Sequence, residues 1–152
     1  MDIGIEEKAR KQIAGALEQV LADTYALYAK THGYHWNVEG PRFNSLHTMF
    51  EAQYRDLWGA LDLIAERIRS LGYYAPMGES IGSKSQLSAD NSVPDADQMV
   101  ANLVKGHEAV VRSARAALKQ AEEAGDQATA DLMTQRVAEG EKTAWMLRAT
   151  NA

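Results

Sequence analysis

The feature that most constrains this chain is the segment from Pro41 to Gly72, which reads as one long amphipathic helix. Apolar residues recur along it at alternating steps of three and four, the pattern of a helix with one buried face. Pro41 suits the first turn of such a helix, and Gly72 suits its end. The apolar stripe consists of Phe43, Leu46, Phe50, Tyr54, Leu57, Leu61, Ile64, Ile68 and Leu71.

A second file of residues runs beside this stripe, and most of its members are metal-binding side chains. It consists of His47, Glu51, Trp58, Asp62 and Glu66. At about 100° per residue, these positions fall within roughly 100° of one another around the helix. The residues within each of the pairs His47/Glu51 and Asp62/Glu66 are four apart, so each pair can bind one ion from adjacent turns. We interpret the two pairs as two halves of a metal site.

These two half-sites lie too far apart to close around one metal within a single helix. Eleven residues separate Glu51 from Asp62, which corresponds to roughly 16 Å along a helix axis. Ligand atoms lie only about 2 to 2.5 Å from a bound metal. If two copies of the helix pack antiparallel about a two-fold axis near Asp56 and Leu57, each His47/Glu51 half-site meets an Asp62/Glu66 half-site of the other copy. The spacing therefore predicts two metal sites per symmetric dimer.

Composition narrows the chemistry of such a site. The chain has no cysteine, so disulfides and thiolate metal sites are excluded, and imidazole and carboxylate must hold any transition metal. That ligand set suits iron, manganese or zinc. The formal net charge of −5 argues against a protein that neutralises phosphates over a broad surface, and it favours attraction of divalent cations. No phosphate-binding glycine loop, nucleophile elbow or Cys/His zinc spacing occurs, which excludes those classes of enzyme and zinc module.

Length and hydropathy predict one globular domain spanning residues 1–152. The chain is 45% hydrophobic and 24% charged, an ordinary balance for a folded domain. Its first residues, MDIGIEEKARKQ, lack the apolar core of a signal peptide, and no later stretch approaches the length of a membrane span. We therefore expect a cytoplasmic protein without a membrane partner.

The remaining sequence predicts three more helices and one long connection. Residues 5 to about 36 form the first helix, whose inward face includes His35. The segment 72–94 is rich in Gly, Ser and Pro and has no sustained period, so we expect a connection that contains a short helix at about 81–87. Pro94 then begins the third helix.

The third helix is predicted to end at Gly125, and Asp126 or Thr129 is expected to cap the fourth. No segment predicts a strand. An all-α chain with one long connection between its second and third helices matches the ferritin type of four-helix bundle.

A resemblance to a known family is carried by KTHGYHWNVEGPRFNSLHTMFEAQYRDLWGALDLIAERIRSLG. This stretch resembles the pattern of the Dps family of mini-ferritins, the DNA-binding proteins from starved cells. That pattern is a His-Trp-Asn near the end of the first helix, a His twelve residues later, an acid four residues after it, and an Asp-x-x-x-Glu eleven residues beyond. The matching residues here are His35, His47, Glu51, Asp62 and Glu66. A second match, EKTAWMLRA at 141–149, falls where the last helix of the family ends, so the resemblance spans nearly the whole chain.

The resemblance implies a hollow shell of twelve subunits that oxidises Fe(II) and stores the ferric product as mineral. The family prefers hydrogen peroxide to dioxygen as oxidant. His35, His47 and Glu51 would come from one subunit, and Asp62 and Glu66 from its two-fold partner. Together they would form a dinuclear iron site, with zinc and manganese as alternative metals.

Binding to DNA is the part of the family description that this sequence does not favour. Family members that bind DNA often carry a lysine-rich extension before the first helix or after the last. Here Glu6 and Glu7 balance Lys8, Arg10 and Lys11, and the chain ends in ATNA. We expect weak or absent DNA binding.

Four acidic residues cluster where the third helix turns into the fourth: Glu122, Glu123, Asp126 and Asp131. One interpretation is a capped, well-solvated corner. The resemblance to the Dps family implies a second interpretation, in which these acids form a ring around a three-fold pore that draws iron into the shell.

Simpler interpretations exist for each candidate residue. A single histidine such as His35 or His47 is more often a hydrogen-bonded core residue, and a file of acids is often a solvated helix face. The combination favours a metal site, because buried carboxylates are costly unless they are paired or metal-bound. We expect His32 to lie beside the site or on the surface and His107 to be structural. The competing functions are a helical scaffold or zinc-binding module without ferroxidase activity, and a Dps protein that acts mainly by binding DNA.

Overall fold

The computed structural model describes all residues from 1 to 152 and consists of four long helices with no strand. The helices are α1 (Glu7–Asn37), α2 (Phe43–Ser70), α3 (Ala96–Glu123) and α4 (Gln127–Thr150), and a 3₁₀ turn spans Gly78–Gly82. The predicted all-α four-helix bundle is therefore confirmed. No helix has an apolar stretch that would reach across a bilayer.

Helix α2 is unbroken, as its apolar stripe predicts. Its stripe residues Leu46, Phe50, Leu57 and Ile64 are all almost fully buried. The helix ends before Gly72, whose φ of 101° lies in the left-handed region that only glycine adopts without strain. Residues on the exposed side of α2 are thus held on one continuous rod.

Side-chain caps begin both helices of the second half of the chain. The carboxylate of Asp95 accepts a hydrogen bond of 2.8 Å from the backbone N–H of Gln98 at the start of α3. The carboxylate of Asp126 accepts one of 3.0 Å from the N–H of Thr129 at the start of α4. Of the two residues predicted to cap α4, Asp126 fills the role, and it satisfies an amide that would otherwise lack a partner.

The connection between α2 and α3 contains a short helix, as predicted, but the type and position of this helix differ from the prediction. The short helix expected at about 81–87 is instead the 3₁₀ turn Gly78–Gly82, followed by irregular backbone. The reason is that Gln86 N–H donates to the side chain of Asp23 at 2.7 Å, and not to a carbonyl of its own segment. A tertiary hydrogen bond has replaced the local one that a helix requires.

Asp23 is the buried carboxylate that holds this connection in place. It is fully buried in α1 and forms no ion pair with any cation of the chain. Five neutral donors satisfy its two oxygens: Gln19 Nε2, Ser85 Oγ, Gln86 N, Gln86 Nε2 and Ser113 Oγ. The charge is thus stabilised by hydrogen bonds that join α1, α3 and the connection.

We predict that Asp23→Ala loosens the connection while the bundle still forms. Removing the carboxylate leaves several buried donors without an acceptor, which is expected to cost about 3 kcal/mol of unfolding free energy. The thermal midpoint of the assembled protein should fall, and proteases should cleave within residues 83–91 faster. Glu122→Ala, which removes an exposed acid, is the control. An unchanged midpoint together with unchanged protease resistance would refute the role given to Asp23.

His107 lies inside the bundle, as expected for a structural residue, and only 3% of its surface is exposed. Its Nε2 has no hydrogen-bond partner. Burial lowers the pKa of His107 from 6.5 to about 4; the charge of Asp56 opposes this shift and that of Arg136 adds to it. The folded protein therefore holds this imidazole neutral at physiological pH.

This depressed pKa predicts a loss of stability on acidification. Between pH 6.5 and about pH 4 the unfolded chain binds a proton at His107 and the folded chain does not, so stability falls as pH drops through that window. The full effect on unfolding free energy is roughly 3 kcal/mol. In His107→Leu, the urea midpoint should depend less on pH below pH 6.5. Above pH 7, the pH dependence of the urea midpoint should be the same as in the wild type. Equal slopes for both proteins in the acidic window would contradict this prediction.

Candidate metal centre

The candidate centre lies where α1 ends and α2 begins. The short connection of residues 38–42 folds α2 back antiparallel to α1, which brings His35 in the last turn of α1 beside His47 in the second turn of α2. The two imidazole rings stack with centroids 3.8 Å apart and an angle of 13° between their planes. His35 is buried and His47 is half-buried.

Each of these histidines is anchored to the backbone of the other. His35 Nδ1 lies 2.7 Å from the carbonyl oxygen of His47, and His47 Nδ1 lies 2.7 Å from the carbonyl oxygen of His35. A carbonyl oxygen only accepts hydrogen bonds, so each Nδ1 carries the proton and donates it. The carbonyl of His35 belongs to the last turn of α1, where carbonyls lack helical partners, and the His47 ring supplies the missing donor.

This pair of hydrogen bonds, called the histidine clamp below, determines which nitrogen can bind a metal. With both Nδ1 atoms engaged, the Nε2 atom of each neutral ring keeps its lone pair for a ligand. His35 Nε2 lies 3.8 Å from Glu51 Oε1, which is too far for a hydrogen bond. Two ligand atoms that share an ion at about 2.1 Å lie roughly 3 to 4 Å apart, so this gap has the size of a shared metal position.

Glu51 has a second neighbour that was not anticipated from the sequence. Arg55 Nε lies 3.4 Å from Glu51 Oε2, so one carboxylate oxygen faces His35 and the other faces a guanidinium one turn along α2. The four-residue spacing was a signal that could have revealed this pair. Both side chains are partly exposed, so solvent screens the pair strongly.

Aromatic rings surround the histidine clamp. The Tyr54 ring lies edge-on to His35 at 5.2 Å between centroids. His32 lies between Tyr54, at 4.4 Å, and Trp36, at 3.9 Å, while its ring is 6.5 Å from that of His35. His32 is therefore packed beside the candidate centre, as expected, and Tyr54, which the sequence placed in the apolar stripe, also borders it.

The acidic half-site lies elsewhere on the chain. Asp62 and Glu66 are exposed on α2, and because the helix is continuous, Asp62 is roughly 16 Å along the axis from Glu51. No cation of the chain pairs with either carboxylate. No three His, Asp or Glu side chains of this single chain converge as a metal-binding group. One chain thus places His35 next to His47 and next to Glu51 without closing a metal site, and it leaves Asp62 and Glu66 apart from them.

Large apolar side chains are exposed along α2 and at the end of α1. Phe43, Trp58 and Leu63 on α2 are 42%, 62% and 55% exposed, and Trp36 at the end of α1 is 63% exposed. Apolar side chains of this size that are left exposed in one chain are often covered by a second protein. Trp58 and Leu63 lie within four residues of Asp62 on α2, and Trp36 directly follows His35.

The acidic corner between α3 and α4 does not match the pore interpretation at Asp126. This residue is buried; its oxygens accept hydrogen bonds from Thr129 and pair with Arg67 at 2.9 Å. Although burial raises the pKa of Asp126, the hydrogen bonds from Thr129 and the charge of Arg67 outweigh it, and the pKa lies below its usual value. Asp126 therefore ties α4 to α2 and is not available to a pore.

The other three acids of this corner remain on the surface. Glu122, Glu123 and Asp131 are exposed. The sequence could not separate them from Asp126, because capping, ion pairing and solvation all use the same side chain.

Comparison with known proteins agrees with this architecture. A family model for the ferritin-like domain matches residues 14–151. The chain is 42% identical over 153 residues to an uncharacterized low temperature-induced protein of Nostoc sp., covering 98% of this chain and 85% of that protein. It is 36% identical over 139 residues to the DNA protection during starvation protein of Brevibacillus brevis, covering 90% of this chain and 93% of that protein.

Solved structures give the same result. The Dps protein from Vibrio cholerae O1, described as a member of a broad superfamily of ferritin-like diiron-carboxylate proteins, superposes with a TM-score of 0.94 at 34% identity, covering 99% of this chain and 95% of that one. The Dps protein from Bacillus brevis superposes with a TM-score of 0.91 at 32% identity, covering 95% and 98%. By sequence and by fold, the chain belongs to the Dps family of mini-ferritins, within the ferritin-like proteins.

Proposed function

We propose that this protein is an iron-sequestering mini-ferritin of the cytoplasm. Twelve copies form a hollow shell, Fe(II) is oxidised at dinuclear sites between two-fold-related subunits, and ferric mineral is stored inside, which protects the cell from oxidative damage. The observation that carries this proposal is the histidine clamp, which leaves both imidazole Nε2 atoms free and places that of His35 3.8 Å from the carboxylate of Glu51.

Each half of the site has its own role toward the substrate Fe(II). His35, His47 and Glu51 of one subunit bind iron through nitrogen and oxygen, and Asp62 and Glu66 of the partner subunit supply the oxygen-rich remainder. Imidazole maintains affinity for the ferrous ion, whereas hard carboxylate oxygens stabilise the ferric product. Asp62 and Glu66 are both anionic, so their half binds iron more tightly.

Pairing two iron ions fits the stoichiometry of peroxide reduction. Hydrogen peroxide, the proposed preferred oxidant, takes one electron from each of two Fe(II) ions and two protons, and it yields two water molecules and two Fe(III). Because both electrons arrive together, no hydroxyl radical is released. The protein contributes a fixed ligand geometry that leaves coordination positions open to oxidant and solvent.

The histidine clamp supports this role because it fixes the orientation of both ligands before iron arrives. Rotating either ring would break its hydrogen bond of 2.7 Å to a backbone carbonyl. Hydrogen bonds of this kind set the tautomer of a metal-binding histidine and raise its basicity. A merely structural histidine pair would not require that both Nε2 atoms remain free.

The exposed acids support the dimeric arrangement. Asp62 and Glu66 have no cation partner within the chain, and exposed Trp58 and Leu63 lie next to them on α2. A second copy packed on this face would bury the apolar side chains and bring the carboxylates to the imidazole half-site. The metal would then offset the cost of burying the acids.

A complementation experiment tests the shared site. One variant, Asp62→Asn/Glu66→Gln, lacks the acidic half, and another, His47→Ala/Glu51→Gln, lacks the imidazole half; each should oxidise Fe(II) no faster than buffer. In mixed dimers, one of the two sites recovers both intact halves. Random co-assembly in equal amounts should therefore restore about a quarter of wild-type activity, measured as peroxide-driven Fe(III) formation.

The control for this experiment is Glu6→Gln/Glu7→Gln, which removes two exposed acids at the start of α1 and should retain full activity. Mixed assemblies that stay inactive, or acidic-half variants that remain active alone, would show that the site is not shared between subunits. Zinc binding by wild type without catalysed Fe(II) oxidation would favour the competing zinc-binding module.

Direct DNA binding is expected to be weak or absent near neutral pH. The net charge of −5 per chain is multiplied in an oligomer and repels a polyanion. Purified assembled protein should leave plasmid DNA unretarded in a gel at physiological salt. Retardation that weakens as salt increases would overturn this expectation and favour action through DNA.

A further inference from the structure

The end of the α2–α3 connection, residues 83–90, forms a strap across α1 and α3. Asp23 of α1 holds its middle through the hydrogen bonds described above. At its end, Asp90 pairs with Lys30 at 3.1 Å and accepts a hydrogen bond of 2.9 Å from the Tyr34 hydroxyl. Burial raises the pKa of Tyr34 to about 12, so this hydroxyl remains a donor. The strap is therefore a fixed element rather than a loose loop.

The strap packs closely on α3 at one position, Gly106. A Cβ atom there would lie 2.6 Å from Leu27 Cδ1 and 3.3 Å from Leu87 Cδ2. Only glycine allows this approach without movement of the neighbouring side chains. The strap thereby becomes one wall of a pocket whose other wall is α3.

This pocket, called the strap pocket below, has a volume of about 400 Å³. Its polar lining consists of Lys30, Gln86, Ser88, Asp90, Asn102, Lys105 and Arg112. Lys105 and Arg112 are seven residues apart on α3, two turns or roughly 10 Å. Long side chains at that separation can reach one ligand held between them.

The strap pocket carries positive charge that the chain does not neutralise. Its only acid is Asp90, whose carboxylate is already engaged by Lys30 and Tyr34. Neither Lys105 nor Arg112 takes part in any ion pair of the chain. Two uncompensated cations thus face one concave site in a chain whose net charge is −5.

The strap also contains backbone donors that have no partner within the chain. The N–H groups of Ser88 and Ala89 donate to no acceptor within the chain, whereas those of Gln86 and Leu87 are bonded to side chains. Ser88 and Ala89 line the strap pocket together with Lys105 and Arg112, and unbonded amides, an ammonium and a guanidinium are all donors that suit an oxyanion.

From this juxtaposition we infer that the strap pocket binds a small phosphate, as inorganic phosphate or a phosphomonoester. Two unpaired cations match a doubly charged tetrahedral anion better than a singly charged chloride or carboxylate, and Arg112 can donate two parallel hydrogen bonds to phosphate oxygens. The volume accommodates a phosphate and its remaining water shell. This site is separate from the metal ligands and does not depend on the proposed iron chemistry.

A free phosphate fits better than the backbone of a polynucleotide. The strap pocket is enclosed on two sides by the strap and α3, and it offers a few donors at one point. A polynucleotide needs several phosphate contacts along an extended surface, and the overall negative charge of the chain opposes it.

Titration calorimetry of the assembled, iron-free protein with inorganic phosphate at constant ionic strength tests the inference. The wild type should bind phosphate saturably, and Lys105→Gln/Arg112→Gln should weaken the affinity by roughly tenfold or more. The matched control, Lys119→Gln/Lys142→Gln, removes two charges from exposed lysines that form no ion pair and should bind like the wild type. Thermal midpoints verify that each variant is folded.

The results that would contradict phosphate binding can be told apart from one another. No saturable binding by the wild type, or equal loss in both double variants, would overturn the inference, because only a general charge effect would remain. If a double-stranded oligonucleotide binds through Lys105 and Arg112 while inorganic phosphate does not, the pocket serves a polynucleotide and the inference fails. All measurements exclude iron, so the result is independent of the complementation test.

Discussion

The antiparallel packing of α2 against α1 is the constraint on which the rest of this structure depends. A connection of only five residues, 38–42, forces α2 to run back along α1, and their apolar stripes then bury each other. The same reversal brings the last turn of α1 to the second turn of α2, where His35 and His47 satisfy each other's carbonyls. The fold and the candidate metal centre thus arise from one packing event.

That packing also determines the long connection. Helix α3 runs antiparallel to α1, as the bonds from Ser113 to Asp23 and from Asn102 to Tyr34 show. It therefore runs parallel to α2, and the chain between them must traverse the length of the bundle. After its 3₁₀ turn, this segment is held to the bundle by hydrogen bonds to α1. The carboxylates of Asp23 and Asp90 accept the hydrogen bonds that fix this segment. The strap pocket forms because these bonds hold the segment against α1 and α3.

The buried carboxylate of Asp126 also joins two parts of the chain. Asp126 caps α4 and pairs with Arg67 of α2, so one carboxylate begins a helix and ties it to its neighbour. Asp62 and Glu66 have no such partners within the chain. The contrast between satisfied acids inside the subunit and unsatisfied acids on α2 supports the proposal that a second subunit completes the metal site.

Periodicity in the sequence predicted the helices well, because a long amphipathic helix is specified by its own residues. The predicted limits of α2, Pro41 to Gly72, lie within two residues of the observed Phe43–Ser70, and the residue spacing alone separated the two half-sites by several turns. The cap at Asp126 was recognisable because a capping residue lies next to the amides it serves.

Tertiary structure decided what sequence could not. The short helix of the connection ends at Gly82 and does not reach residue 87 as predicted, because Asp23, more than sixty residues earlier in the chain, accepts the hydrogen bond of the Gln86 N–H. The histidine clamp likewise depends on a partner from another helix. The same holds for Asp126, which is buried and paired with Arg67 of α2. The sequence by itself determined which faces of the helices are apolar and which carry metal ligands, since these follow from local spacing. Only the packed bundle decided which polar groups satisfy one another, because that depends on distances between segments far apart in the chain.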